Sequence, residues 1–157
     1  MLKIKIIVVE RTRSSFLQEG EHFYLKRIRY YAPVEWVEVK PASIKKGRAP
    51  KALLADEEKG ITRCLKRQDY LVAMDRKGIQ VGSEGLAAWL ANWSLSVAGH
   101  LTFLIGSPWG LSDGVLKRAD KRFSLSKLTL THEMSRLVLL EQLYRAFTIM
   151  RGEPYHK

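Results

Sequence analysis

Between Leu101 and Asp113 the sequence reads LTFLIGSPWGLSD. Five apolar or β-branched residues run into Gly106-Ser107-Pro108-Trp109-Gly110, and Ser112 and Asp113 follow as helix-capping residue types. Two glycines bracketing a tryptophan at the end of a strand can open main-chain N–H and C=O groups to a ligand. Open α/β sheets bind ligands at that end. The Gly-x-x-x-Gly spacing fits neither a P-loop nor a dinucleotide fingerprint, and an ordinary strand-to-helix loop uses the same residues. Cys64 is the only cysteine, and His22, His100, His132 and His156 are scattered without ligand spacing. No metal centre is therefore expected.

Charge points to a polyanionic partner. Twenty-seven Lys and Arg stand against 16 Asp and Glu, a net charge of +11. The cations gather in LKRIRY (25–30), KKGRAPK (45–51), RCLKR (63–67) and KRADKR (117–122). Such clusters favour phosphate through counterion release, which places nucleic acid ahead of a merely basic surface or an anionic membrane. A hydrophobic fraction of 46% with 27% charged residues is that of a globular chain. At 157 residues it can form one domain, 1–157, without disulfide support. No stretch approaches the roughly 20 apolar residues of a membrane span, and the apolar run in MLKIKIIVVE is too short for a signal peptide. A cytoplasmic location is expected.

These residues must be positioned by alternating strands and helices. Leu2–Val9 reads as a buried strand, Ser15 and Gln18 have capping-box spacing, and Leu17, Tyr24, Ile28 and Tyr31 mark a helical stripe. VEWVEVK (34–40) alternates as a second strand, and Pro41 to Pro50 is a basic loop. A helix with Leu54, Ile61 and Leu65 inward follows, then a third strand, DYLVAMD (69–75), ending in an Arg76-Lys77-Gly78 turn. Ser83 can cap a helix carrying Leu86, Leu90, Trp93 and Val97, with Tyr70, Trp89 and Trp93 expected in the core. After the 101–105 strand come a short helix to about Ala119, a fifth strand RFSLS (122–126) and a long helix from about His132 to Met150. This order predicts an α/β fold with a largely parallel sheet flanked by helices. LVLL (137–140) is apolar all round the last helix. Either the helix is enclosed in its own domain or a second subunit covers it. Glu141 and Arg145 stand at i,i+4, the spacing of a surface pair.

The C-terminal third carries more than pattern. LIGSPWGLSDGVLKRAD, FSLSKLTLTHEMSRLVLLEQLYRAF and IMRGEPYHK closely resemble the RlmH family, small SPOUT-class methyltransferases that modify a pseudouridine of large-subunit (23S) ribosomal RNA. The likeness covers the whole chain in length and element order, and is most specific from residue 101 onward. It implies a SPOUT-type α/β sheet with a C-terminal trefoil knot, a homodimer, and S-adenosylmethionine bound bent in the knot. The implied reaction is methylation of pseudouridine N3 on the assembled ribosome. Carried over by position, the cofactor-binding residues are Met74, Gly106, Leu125, Ser126, Lys127, Leu128, Thr129 and Leu130. The chain departs from the family pattern at Ser107, where a second glycine is usual, and at Trp109, where an acidic or small residue is common. It departs also at Thr131 for a usual proline, and at Glu10-Arg11 for a usual Gly-Lys.

Transfer to N3 needs an in-line approach and loss of the imide proton, so positioning and anion stabilisation should dominate. Arg145 and Arg136 are candidates for the second role, each equally suited to an ion pair. Tyr155 and His156 follow the helix-ending Gly152 and Pro154. In a dimer, this tail is expected to reach the partner's cofactor loop. Arg145, Tyr155 and His156 are thus the catalytic candidates. His132 suits either substrate contact or a local helix-end hydrogen bond. Trp109 is expected to be exposed, with stacking on RNA as one use. The other reading is a non-catalytic basic protein that binds RNA or the ribosome and keeps the fold.

Overall fold

Strands buried on both faces read as near-continuous apolar runs, and the IKIIVV of the first strand is such a run, broken only by Lys5. The computed structural model describes residues 1–45 and 47–157; Lys46, one of the cations of the 45–51 cluster, lies outside the described residues. Its strands are β1 (Lys3–Val9), β2 (Val34–Val39), β3 (Tyr70–Ile79), β4 (His100–Ile105) and β5 (Lys121–Phe123). They form one sheet ordered β2-β1-β4-β3-β5, parallel throughout. Helices α1 (Ser15–Ile28), α2 (Pro50–Cys64), α3 (Ser83–Ser96), α4 (Asp113–Arg118) and α5 (His132–Met150) alternate with the strands.

Side chains two apart on a strand share a face, and each face has its own core. Ile7, Val9, Leu71 and Leu104 pack with Ile61 of α2 and Val115 of α4. Ile4, Ile6, Val8, Val72, Leu101 and Phe103 point the other way, toward Leu25 and Ile28 of α1, Leu86 and Leu90 of α3, and Leu139, Leu140 and Leu143 of α5. The last three are fully buried, because α5 lies between α1 and α3 over the sheet. The apolar residues around α5 are therefore used largely within the chain, and do not by themselves call for a second subunit. At Gly20 of α1 an added Cβ would stand 2.7 Å from Leu137 Cδ1, so the glycine sets how closely the two helices approach.

Several expected details shift. The N-cap of α1 is Ser14, not Ser15, and its side chain makes no capping bond. Instead the Glu133 carboxylate, at the start of α5, accepts from the Arg13 and Ser14 amides at 2.8 and 3.2 Å. Tertiary structure supplies the cap. Gly82 rather than Ser83 caps α3, leaving Ser83 Oγ to donate to Gln142 Oε1 at 2.6 Å. In α2 the buried stripe is Leu53, Glu57 and Ile61, with Leu54 and Leu65 only half-buried. β3 does not turn at Arg76-Lys77-Gly78 but runs on to Ile79, with a shift in its pairing to β5 between Met74 and Ile79. A Cβ at Gly78 would lie 2.6 Å from the Phe123 nitrogen, so the extension needs glycine to reach β5. β5 itself stops at Phe123, and residues 124–130 form a loop. Tyr70, Trp89 and Trp93 pack together on Phe103 and Phe123, although only Trp93 is fully enclosed.

Candidate active site

β3, β4 and β5 end beside one another, and the segments leaving them wall a cleft of about 660 Å³. Met74 comes from the irregular point in β3, Gly106 from the end of β4, and Leu125, Ser126, Leu128, Thr129 and Leu130 from the loop after β5. Seven of the eight residues carried over as cofactor-binding thus meet in one cavity. Lys127 does not: it is exposed and stands outside the wall. Ile105, Leu116, Phe123, His132 and Ser135 also contribute, the last two from the first turn of α5.

The Gly106 loop folds back on itself. The Gly110 amide donates to the Ser107 carbonyl at 2.8 Å, and Gly110 takes φ +87°, which glycine tolerates best. A Cβ on Gly106 would lie 2.3 Å from the Gly110 carbonyl oxygen. The need for glycine here therefore comes first from the loop's own closure. Ser107 is buried and donates through Oγ to Glu57 Oε1 at 2.7 Å, while Glu57 Oε2 accepts from the Ala42 amide at 3.2 Å. Ser107 thereby ties the loop to α2. Sequence reading missed Glu57. Its one signal was a carboxylate spaced four residues from both Leu53 and Ile61, on the apolar stripe.

The loop after β5 is similarly braced. Ser124 Oγ donates to the Ser126 carbonyl at 3.1 Å, and Ser126 Oγ accepts from the Leu128 amide at 2.9 Å. Thr131 caps α5 by accepting from the Met134 amide at 3.1 Å. His132 follows it into the cleft wall; burial, and then the nearby Arg136 cation, push its pKa down.

Arg136 is not placed to meet a substrate. It is fully buried, donating to the Val9 carbonyl at 2.7 Å and to Thr12 Oγ1 at 2.9 Å, and Thr12 passes a bond on to Glu21 at 2.8 Å. Its Nε has no hydrogen-bond partner among the described residues. Burial pushes the Glu21 pKa up and that of Arg136 down. The group pins the end of β1, where Glu10 takes φ +71°, to α5.

Arg145, Tyr155 and His156 do come together, but elsewhere. The Arg145 guanidinium donates to Glu141 Oε1 at 2.6 and 3.1 Å, lies 4.7 Å from the Tyr155 ring centre and sits 3.2 Å from His156 Nδ1. An arginine N–H can only donate, so His156 Nδ1 accepts and a neutral ring carries its proton on Nε2. Tyr155 Oη donates to Glu141 at 3.1 Å, and its ring stands edge-on to Tyr144 at 4.7 Å. Burial, and then hydrogen bonds with Tyr24 and Glu141, push the Tyr155 pKa up, so the phenol keeps its proton. The tail is thus folded back on α5 rather than unsupported. Gly152 makes the turn at φ +65°, and Tyr31 donates to Glu153 at 2.5 Å. Ten residues of helix separate Arg145 from Ser135 in the cleft wall, about 15 Å along the axis. One chain does not join the cluster to the cleft.

In the basic loop, Arg48 is engaged with Asp56 and with the Ser43 and Ala52 carbonyls at 3.1 and 3.2 Å. It braces the start of α2. No group of three or more His, Cys, Asp or Glu suited to a metal occurs among the described residues, and none of their helices is long and apolar enough to cross a membrane.

An open parallel sheet with a loop-walled cleft at its carboxyl ends agrees with comparison to known proteins. The family model described as "Predicted SPOUT methyltransferase" matches residues 2–156, and the chain belongs to that family. Among its relatives, "Ribosomal RNA large subunit methyltransferase H" of Moorella thermoacetica is 41% identical over 160 residues, covering 100% of both chains. The protein of the same name from Desulfotalea psychrophila is 43% identical over 158 residues, covering 99% of this chain and 100% of that one. Two solved structures share the fold at low identity. A "probable methylase family protein" from Haemophilus influenzae has TM-score 0.61 at 15% identity, covering 100% of this chain and 72% of that one. A "Probable Methyltransferase" from Bordetella pertussis has TM-score 0.57 at 13% identity, covering 92% and 96%.

Proposed function

We propose that the chain transfers a methyl group from S-adenosylmethionine to N3 of a pseudouridine in 23S ribosomal RNA, in the cytoplasm and on the assembled ribosome. Residues 1–157 act as one SPOUT domain, its C-terminal part threaded as a trefoil knot, and two copies work together. The observation that carries this reading is the meeting of Met74, Gly106 and five residues of 125–130 in one cleft. Full-length relatives named for ribosomal RNA methylation support it.

The donor set fits the cofactor. Main chain of three segments, with apolar Met74, Ile105, Leu125 and Leu130, offers both polar and hydrophobic partners to an adenosine and a methionine portion. When bound, S-adenosylmethionine supplies an electrophilic methyl on a sulfonium. The chain's own residues then position the base and stabilise its developing anion. Arg145 suits the second task, since its hydrogen bonds to Glu141 hold its pKa up and keep it a cation. Tyr155, protonated, can donate to the base or stack on it.

The distance between cluster and cleft supports a dimer, given the proposed role of the cluster. A second copy can bring its Arg145–Tyr155–His156 cluster to the first copy's cleft. Phe16 and Phe23 stand seven residues apart on α1, hence on one side of it, Tyr30 follows in the turn just beyond the helix, and all three are exposed. We assign this aromatic stripe to the subunit interface. Methyl transfer to purified ribosomes and to naked rRNA, alongside calorimetric titration with S-adenosylhomocysteine, tests the reading. A chain that binds ribosomes but takes up no S-adenosylhomocysteine would instead be a non-catalytic relative.

A further inference from the structure

Trp109 stands 51% exposed on the cleft's rim, yet its loop is not loose. The Ser107–Glu57 bond, the Gly110–Ser107 bond and the close fit of Gly106 under the Gly110 carbonyl all hold its backbone. A braced loop that keeps an indole in water is presenting it. Leu128, 77% exposed, adds a second apolar side chain to the rim. The same rim carries Arg76, Lys77 and Arg122, all exposed. Arg122 reaches Asp75 only at 4.0 Å, and among the described residues no carboxylate lies within 4.0 Å of Arg76 or Lys77. Arg76 and Lys77 thus have no carboxylate partner among the described residues, and Arg122 has only the long contact to Asp75. An exposed aromatic beside exposed cations is the combination that holds single-stranded nucleic acid: the ring stacks on a base and the cations take its phosphates.

We propose that Trp109 stacks on a nucleotide flanking the one that enters the cleft, with Arg76, Lys77 and Arg122 on the adjoining phosphates. The inference rests on the RNA-methyltransferase reading and gives that cleft its RNA contact.

The test uses the full-length protein, Trp109→Ala and Trp109→Phe, and a labelled single-stranded oligouridylate of about ten nucleotides at low salt. RNA affinity is read by anisotropy, S-adenosylhomocysteine affinity by calorimetry and assembly by sedimentation. Trp109→Ala is expected to weaken RNA binding about five- to hundredfold, and Trp109→Phe to recover most of it. S-adenosylhomocysteine affinity should stay within about twofold, below 0.5 kcal/mol, and sedimentation should not change. Unchanged RNA affinity in Trp109→Ala overturns the proposal. So does a selective loss of S-adenosylhomocysteine binding, which would assign the indole to the cofactor, and so does a change of assembly, which would assign it to the subunit interface. If wild-type protein binds no S-adenosylhomocysteine, the enzymatic reading fails instead, and the RNA titrations still report on Trp109.

Discussion

Gly106 shows how a residue can be found for one reason and needed for another. Its place at the end of an apolar strand marked it in the sequence as an opening toward a ligand. What it meets at close range is the Gly110 carbonyl, 2.3 Å from where a Cβ would stand. A contact across a four-residue loop leaves no trace in composition or periodicity. Gly106→Val should therefore reopen the loop, destabilise the fold by about 1–3 kcal/mol and weaken S-adenosylhomocysteine binding roughly tenfold or more. Thermal unfolding and calorimetry read both, and unchanged affinity would remove the loop from the site. The two arginines divide in the same way. Sequence spacing leaves Arg136 and Arg145 equivalent; burial separates them, since Arg136 is locked to Val9 and Thr12 while Arg145 stands by the tail. Glu57 left only its place on the apolar stripe in the sequence; its role comes from partners distant in the chain, Ser107 and Ala42.

At the scale of elements, the far end of the sheet is fastened by charge. Lys5 of β1 meets Asp69, just before β3, at 3.0 Å, both side chains nearly fully buried, and the His100 and Lys66 amides donate to the same carboxylate at 2.9 and 3.0 Å. Burial alone would push the Asp69 pKa up; these partners hold it down to about 2. Because the folded value lies below the ordinary 3.8, the stabilisation is complete above about pH 4 and is lost as pH falls toward 2. Asp69→Asn should cost roughly 3 kcal/mol at neutral pH, with the gap from wild type closing below pH 3. Urea unfolding across this range would contradict the account if the gap were constant. The strands, helices and their order were legible because central strands and amphipathic helices announce themselves in apolar period. The β3 extension and the docked tail were not, since each depends on a neighbour: β5 for the first, Tyr31, Tyr144 and Glu141 for the second. Deleting Tyr155–Lys157 should leave dimerisation intact and remove most of the methylation rate, positioning being worth several kcal/mol. Single-turnover rates within about twofold of full length would show the tail to be passive.

For the whole molecule, about 15 Å of helix axis separates the cleft from the Arg145 cluster on one chain, and the proposed dimer is the arrangement that would unite them. The all-round apolar character of α5 suggested a partner, but α1 and α3 largely account for it. The exposed Phe16 and Phe23 of α1, with Tyr30 just beyond it, are the basis of the proposed interface, and they were hidden in the sequence because α1's buried stripe runs beside them. Phe23→Asp with Tyr30→Asp should yield a folded monomer by sedimentation; a persistent dimer would place the interface elsewhere. Such a monomer should still take up S-adenosylhomocysteine but lose methyl transfer. The account's central claim is the reaction itself. Purified protein, S-adenosylmethionine and ribosomes lacking the modification should yield 23S rRNA whose nucleosides, separated by mass spectrometry, contain a pseudouridine heavier by one methyl group, with fragmentation placing the methyl on the base at N3. An unmodified pseudouridine pool after complete incubation, or a methyl found on ribose or another base, would contradict it.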